Sequence, residues 1–240
     1  ARCVSTGAAL PIAIVEALWQ AGLRWGQQQK AAYIVLGECV AGGTTTALAV
    51  LLGLGWAAEG MVSSSHPVAN HAQKRALVQQ GLRKLRPRAD AFEILAAVGD
   101  PVQPFVAAAA AALSQTRPVL LAGGTQMLAI YALLQRLAAE TQTPWQPDHI
   151  VVGTTRWVVA DPTGNTVGLA QVIGTVPLLS TSLSFRYARY PQLAAYEQGY
   201  VKEGVGAGGL AISASLYRQW GQLELLTAIE ATYARLLAAA

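Results

Sequence analysis

A short apolar strand that ends in a glycine turn and leads into a helix occurs twice in this chain, and no other sequence feature constrains the fold as strongly. The first strand, residues 33–36, is followed by Gly37 and by Gly42-Gly43, and a helix is predicted from Thr44 or Thr45. The second strand, residues 118–121, runs into a turn at 122–124 that precedes a long helix. Strands that are apolar throughout are typical of parallel sheets covered on both faces.

The rest of the chain repeats this alternation. Apolar periodicity and capping residues predict helices at 11–25, 72–82, 91–98, 101–115, 206–216 and 223–237. Further strands are predicted at 61–64, 149–153, 157–159 and 176–185, with a turn at 161–165. We therefore expect one α/β domain over residues 1–240: a mostly parallel sheet with helices on both faces, a Rossmann-like three-layer arrangement. Ligands of such sheets bind at the carboxyl ends of the strands.

Composition limits the possible classes of protein. Hydrophobic residues make up 53% of the chain and charged residues 12%, which excludes disorder. The longest apolar stretches, 46–58 and 105–113, are shorter than the roughly 20 residues that span a bilayer, so no membrane association is expected. The net charge is only +4, and we interpret the basic run at 83–88 as a solvated helix end rather than a nucleic-acid contact.

The two cysteines, Cys3 and Cys39, favour a reducing compartment, because a disulfide at Cys39 would obstruct a glycine-rich loop. No signal peptide is recognised, so a cytoplasmic location is expected. The chain does not begin with Met, and we expect a fragment that has lost an amino-terminal portion.

Three glycine turns are candidates for binding an anion. Residues 37–46 combine a glycine turn with a helix start, whose N–H groups could cradle a phosphate. Their spacing mimics a P-loop, but Gly43 stands where that motif needs a lysine, which disfavours ATP hydrolysis. An ordinary strand-to-helix turn explains the segment equally well. A second turn at 123–125 and a third at 204–209 favour one shared anionic ligand, whereas the third turn lacks the context of a dinucleotide fingerprint.

Few other residues suggest chemistry. His66 and His71 do not share a helical face and His149 stands alone, so no metal site is expected. Phosphoribosyltransferases that use a diphosphate donor usually carry adjacent acids after a strand, and no such pair occurs. Glu203 could act on a substrate beside the open glycine run, or it could be a surface acid paired with Lys202.

Taken in order, these motifs resemble the nicotinate-nucleotide:dimethylbenzimidazole phosphoribosyltransferase family, in its divergent branch with a Gly-Gly-Thr-Thr-Thr loop. Residues 37–46 are similar to that family's Gly-Glu-Met-Gly-Ile-Gly-Asn-Thr-Thr-Thr loop, with Gly43 in place of Asn. Lys74 lies where the family has a phosphate-contacting lysine. Residues 90–99 resemble its Asp-Pro-x-Glu-x-Leu segment, and 118–123 resemble its Pro-Val-Leu-Leu-Asp-Gly strand end, with Ala122 replacing the acid. Residues 203–207 resemble its Glu-Gly-Thr-Gly-Ala motif.

The resemblance implies transfer of ribose phosphate from nicotinate mononucleotide to dimethylbenzimidazole or a purine-like base, giving an α-ribotide for cobalamin biosynthesis. It implies Glu203 as the catalytic base, no cofactor or metal, and a homodimer. A non-catalytic nucleotide or phosphate sensor remains the alternative, and a Rossmann-type dehydrogenase is disfavoured by the misplaced fingerprint. The residues expected to bind substrate or phosphate are Glu38, Gly42, Gly43, Thr44, Thr45, Lys74, Gly123, Gly124, Gly204 and Gly206.

Overall fold

A computed structural model describes residues 1–64, 67–174 and 176–239, and within these residues four parallel strands form one sheet. The order is β1-β2-β3-β4, and the register places Leu36 beside Leu121 and Leu121 beside Val152. Because all the strands are parallel, their carboxyl ends lie at one edge, as predicted. The strands are β1 Ile34–Gly37, β2 Val119–Ala122, β3 Ile150–Thr155 and β4 Leu178–Thr181.

Helices connect and cover these strands. In chain order they are α1 Ile12–Gln28, α2 Gly43–Gly53, α3 His71–Leu82, α4 Ala91–Val98, α5 Val102–Ser114, α6 Thr125–Thr141, α7 Arg156–Val159, α8 Thr166–Ile173, α9 Pro191–Ala194, α10 Ala211–Arg218 and α11 Gln222–Ala239. A short π-helical segment, Val205–Leu210, leads directly into α10. Among the described residues, none of the helices combines the length and apolarity needed to cross a membrane.

One face of the sheet is covered by alanine-rich helices. Helix α5 is buried almost throughout, and α1 packs closely along it. At Gly22 a Cβ would lie 2.3 Å from the carbonyl oxygen of Phe105, and at Gly26 it would lie 2.9 Å from that of Ala109. Small residues therefore set the distance between these helices, and the alanine content serves close packing rather than a membrane span.

The other face is covered by the π-helical segment and α10, so the predicted α/β architecture with helices on both faces is confirmed. Glycines allow this close contact. A Cβ on Gly209 would lie 2.1 Å from the Cβ of Ala122, and one on Gly208 would lie 2.8 Å from the carbonyl carbon of Thr154. The segment that follows Glu203 is therefore pressed directly onto the carboxyl ends of β2 and β3.

Most predicted elements are present with shifted ends, but two predicted strands are wrong. Residues 157–159 belong to α7, because the Thr155 hydroxyl accepts a hydrogen bond from the Val158 N–H and starts a helical turn. Residues 61–64 are not in a strand: the Ser63 N–H donates to the Thr125 hydroxyl and its carbonyl accepts from Lys74. Side chains thus take the hydrogen bonds that a neighbouring strand would have made.

Candidate functional site

A cleft of about 650 Å³ lies at the carboxyl edge of the sheet. Three turns form much of its wall: the Gly42 turn (residues 42–44), the Gly124 turn (124–126) and the Glu203 turn (203–206). They begin α2, α6 and the π-helical segment. Helix starts present N–H groups without intrahelical partners, so the Gly42 and Gly124 turns suit an anion. The other lining residues are Glu38, Cys39, Val40, Ser63, Ser64, Val158, Val201 and Lys202.

Close backbone contacts fix the Glu203 turn against the sheet. A Cβ on Gly204 would lie 2.7 Å from the carbonyl carbon of Gly123 and 2.9 Å from the Thr154 hydroxyl oxygen. A Cβ on Gly37 would lie 2.6 Å from a methyl carbon of Val205. Glycine is required at both positions because a side chain would push the turn away from the strand ends.

An aromatic cluster anchors the chain that leads to this turn. Trp157 stacks on Phe185 with 5.3 Å between ring centroids, and Tyr196 packs against Trp157 at 4.9 Å. Arg156 adds an ion pair with Glu197. These contacts bind the segment before Glu203 to α7 and hold the turn in place.

The Glu203 carboxylate bonds to the start of the helix that follows it. One oxygen accepts from the N–H groups of Val205 and Gly206, and the other accepts from Ala207 at 2.8 Å. A carboxylate has about four acceptor positions, so these bonds leave room for a further donor. The pairing with Lys202 considered from the sequence is wrong, because Lys202 bonds to Asp161 and to the Pro67 carbonyl.

Glu38 is a second carboxylate in the cleft. Its Oε2 accepts from the Val40 N–H at 3.1 Å and from the Gln126 side-chain amide at 2.7 Å. Burial raises the pKa of Glu38 above its ordinary value, and the negative charges of Asp100 and Glu203 add to this effect. The cleft therefore holds two carboxylates in different environments.

Two lysines and one aspartate lie at one wall of the cleft, where Lys202 lines the cavity and Lys74 lies behind Ser63. Lys202 pairs with Asp161 at 2.8 Å, and both side chains are almost fully buried. The Lys74 ammonium donates to the Ser63 carbonyl at 2.6 Å. Burial lowers the pKa of Lys74 to about 8, and the positive charge of Lys202 contributes to the same shift. Two cations face one anion here, so this wall favours a negatively charged ligand.

Asp100 ties the Gly42 turn to the rest of the fold. It is 5% exposed, accepts from the Thr46 hydroxyl at 2.6 Å and accepts from the Val102 N–H at 3.0 Å. Burial raises the pKa of Asp100, although these hydrogen bonds oppose the increase. The first turn of α2 is thereby joined to the start of α5.

Most of the residues predicted to bind substrate meet at this cleft. Glu203 and seven predicted binding residues line it: Glu38, Gly42, Gly43, Thr44, Gly124, Gly204 and Gly206. Thr45 follows the lining residue Thr44 in the chain, and Gly123 precedes the lining residue Gly124. Lys74 is 2% exposed and lies behind Ser63, so it could act on a ligand only through its charge.

Several lining residues are not predictable from the sequence. Ser63 and Ser64 fall in the segment predicted as a strand end, and their approach to the cleft depends on contacts with α3 and α6. Gln126 carries no motif signal, since an amide in the first turn of a helix is common. Its role becomes visible only through its contact with Glu38.

The histidines of the described residues do not line the cleft. The ring of His71 bonds to the Thr163 carbonyl and that of His149 to the Ser114 carbonyl, while His66 is outside the described residues. Within the described ranges, no cluster of three or more potential metal ligands was found. Cys3 and Cys39 are both free and exposed.

Sequence comparison places the chain among known relatives. A family model described as "Phosphoribosyltransferase" matches residues 1–155. The UPF0284 protein of Cyanothece sp. (strain PCC 7425) is 61% identical over 236 residues, which cover 96% of this chain and 64% of that protein. The UPF0284 protein of Trichodesmium erythraeum is 56% identical, with 98% and 66% covered. The chain thus spans slightly less than two thirds of these relatives.

Solved structures share the fold. The nicotinate-nucleotide-dimethylbenzimidazole phosphoribosyltransferase of Thermus thermophilus superposes with a TM-score of 0.55 at 20% identity, covering 84% of this chain and 60% of that one. CobT of the same organism gives 0.57 at 19% identity, covering 82% and 60%.

Proposed function

Because the chain belongs to the nicotinate-nucleotide:dimethylbenzimidazole phosphoribosyltransferase family, we propose that it moves ribose phosphate from nicotinate mononucleotide to a lower-ligand base. The base is dimethylbenzimidazole or a related ring, and the product is an α-ribotide for cobalamin biosynthesis. The observation that carries the proposal is the meeting of the Gly42, Gly124 and Glu203 turns at one cleft.

In this proposal the substrate phosphate lies against the N–H groups and hydroxyls at the start of α2, in residues 42–45. Gly42 has a φ of 74°, a left-handed conformation that glycine adopts without strain, and this turn allows the helix to begin at Gly43. Lys74, from behind Ser63, and Lys202, in the cleft wall, add positive charge. The Gly124 and Glu203 turns, which line the same cleft, then border the ribose.

The chemistry follows from the leaving group. Nicotinate departs from C1 of the ribose with the bonding electron pair, which neutralises its pyridinium charge. A ring nitrogen of the incoming base attacks C1 from the opposite face, so the β-linked donor gives an α-linked product. Glu203 takes the proton from the other ring nitrogen of the base, whose N–H becomes acidic as the attacking nitrogen bonds to C1. This is a general-base contribution of about two to four powers of ten in rate. Holding both substrates in line supplies further acceleration.

One observation favours a second candidate, a non-catalytic nucleotide or phosphate sensor. The Glu203 carboxylate accepts three backbone N–H groups of the segment that follows it, which is a structural role in itself. A sensor would bind nicotinate mononucleotide and release no nicotinate.

Turnover separates the two candidates. We would incubate the chain, and in parallel the full-length Cyanothece relative, with nicotinate mononucleotide and a panel of benzimidazoles and purines. Mass spectrometry should detect free nicotinate and a new ribotide. Binding without either product, in both proteins and with every base, would favour the sensor.

A further inference from the structure

Gln126 is the cleft residue whose contacts are least explained by its sequence context. It is the second residue of α6, and its side-chain amide donates to Glu38 Oε2 at 2.7 Å. The Val40 N–H donates to the same oxygen at 3.1 Å. Among the described residues, no group hydrogen-bonds to the other oxygen, Oε1. One oxygen of Glu38 is therefore held by the protein, and the described residues give the other oxygen no hydrogen bond.

Gly43 provides the space that this arrangement needs. A Cβ on Gly43 would lie 1.9 Å from the Gln126 side-chain nitrogen and 3.1 Å from the Cβ of Val40. Two atoms cannot share that volume. The far end of Gln126 is flexible, so a methyl group at position 43 would displace the amide rather than unfold the helix. A side chain at position 43 and the bond from Gln126 to Glu38 are thus mutually exclusive.

We propose that Gln126 is a positioning residue that holds Glu38 in the cleft, and that Gly43 is required because it leaves room for the Gln126 amide. The inference goes beyond the proposed function, and it rests on that function only in taking the cleft as the place where the acceptor base binds. With Oε2 held by Gln126 and Val40, Oε1 of Glu38 is oriented to accept an N–H group of a bound heterocycle. The ligand class is a heterocycle with an N–H donor besides the ring N–H that Glu203 deprotonates, such as a purine with an exocyclic amino group.

The contact also affects the ionisation of Glu38. An amide that donates to a carboxylate stabilises its charged form, and this bond opposes the increase in the Glu38 pKa caused by burial. Removing the bond should make Glu38 harder to ionise. The prediction can be measured without any substrate, so its failure is distinguishable from failure of the proposed function.

The test is the titration of Glu38 followed by NMR of the ¹³C-labelled side-chain carboxyl, assigned with Glu38→Gln. Gln126→Leu should move the titration midpoint up by about one pH unit. Gly43→Ala should give a similar shift, and the double variant Gly43→Ala/Gln126→Leu should add nothing to either. Gln171→Leu, an exposed glutamine on α8, is the matched control and should leave the midpoint unchanged.

Additive shifts in the double variant, or an unchanged midpoint in Gln126→Leu, would overturn the proposal. Gln126→Asn, whose shorter amide falls short of Glu38, should behave like Gln126→Leu and replaces it if that variant does not fold. Where turnover is measurable, the acid limb of the pH profile should move up with the midpoint. A merely structural role for Gln126 would lower activity equally at all pH values.

Discussion

Two regions of this molecule bury different kinds of side chain. Where α1 packs on α5, the contact is made by alanine, glycine and other small residues, and the buried side chains are mainly apolar. At the cleft edge, by contrast, Lys74, Asp100 and Asp161 are all at most 6% exposed. Both regions belong to one fold, but only one of them buries charge.

The difference indicates where function lies. Burying an ionised side chain is unfavourable unless partners compensate, so a fold optimised only for stability would not concentrate such groups at one edge. Here burial raises the pKa of Glu38 and Asp100 and lowers that of Lys74, and all three shifts disfavour the charged form. Perturbed ionisable groups gathered beside a cleft are typical of active sites. The alanine-rich region, in turn, supplies the rigid support.

The largest effect should come from Glu203→Gln. If the cleft edge exists for chemistry, this variant should retain the fold and lose about two to four powers of ten in turnover. Thermal unfolding should change much less, because the amide oxygen can still accept from the Val205 and Gly206 N–H groups. Nicotinate release and circular dichroism would measure the two properties. An unchanged rate would remove Glu203 from the mechanism.

The next prediction concerns the alanine-rich region. Gly22→Ala places a methyl group 2.3 Å from the Phe105 carbonyl oxygen, so the two helices must separate. We expect a loss of about 2–3 kcal/mol in the free energy of unfolding, measured with urea. Gly221→Ala, an exposed glycine, is the control and should have little effect. Equal stability of the two variants would show that packing in this region is looser than described.

At Lys74 we expect a smaller change in the free energy of unfolding, and an increase rather than a loss. At neutral pH its buried ammonium is unfavourable, so Lys74→Met should raise the free energy of unfolding by about 2 kcal/mol while weakening phosphate binding about tenfold. Folded Lys74 loses its proton near pH 8, whereas the unfolded chain keeps it to about 10.5. The stability that wild type gains between these pH values should be missing in the variant.

Urea unfolding across pH 7–10.5 and calorimetry with nicotinate mononucleotide would measure both parts of this prediction. A variant that loses stability at pH 7 would contradict the idea that Lys74 is retained for its charge. Unaltered affinity for nicotinate mononucleotide would separate Lys74 from the phosphate site.

Much of the fold is readable from local sequence signals. The helix predicted at 91–98 is present, and the structure shows the Asp90 side chain accepting from the Glu93 N–H at its start, with Glu93 bonding back in a capping box. The apolar strands and the glycine turns are also placed correctly. The strand predicted at 157–159 fails because Trp157 and Val158 are equally suited to a strand and to a buried helical turn, and the Thr155 cap decides between them.

Only those parts of the candidate site that contain a sequence motif are predictable. Glycines and Glu203 mark the three turns, but the contacts that define the site are between residues distant in sequence. Gln126 meets Glu38 across 88 positions, and Lys202 meets Asp161 across 41. At both positions that depart from the family pattern, a residue distant in the chain is in contact: Gln126 occupies the space at Gly43, and Gly209 packs on Ala122. No local pattern encodes such pairs, since they depend on the packing of whole elements.

The central claim is that three turns far apart in the chain bind one sugar phosphate. It is tested most directly by two-dimensional ¹⁵N NMR of the chain titrated with nicotinate mononucleotide. The account predicts that the amide signals of Gly42, Gly124 and Gly204 shift together with a single dissociation constant, while that of Gly22 stays fixed. Shifts confined to one turn, or a response centred on the alanine-rich helices, would contradict it.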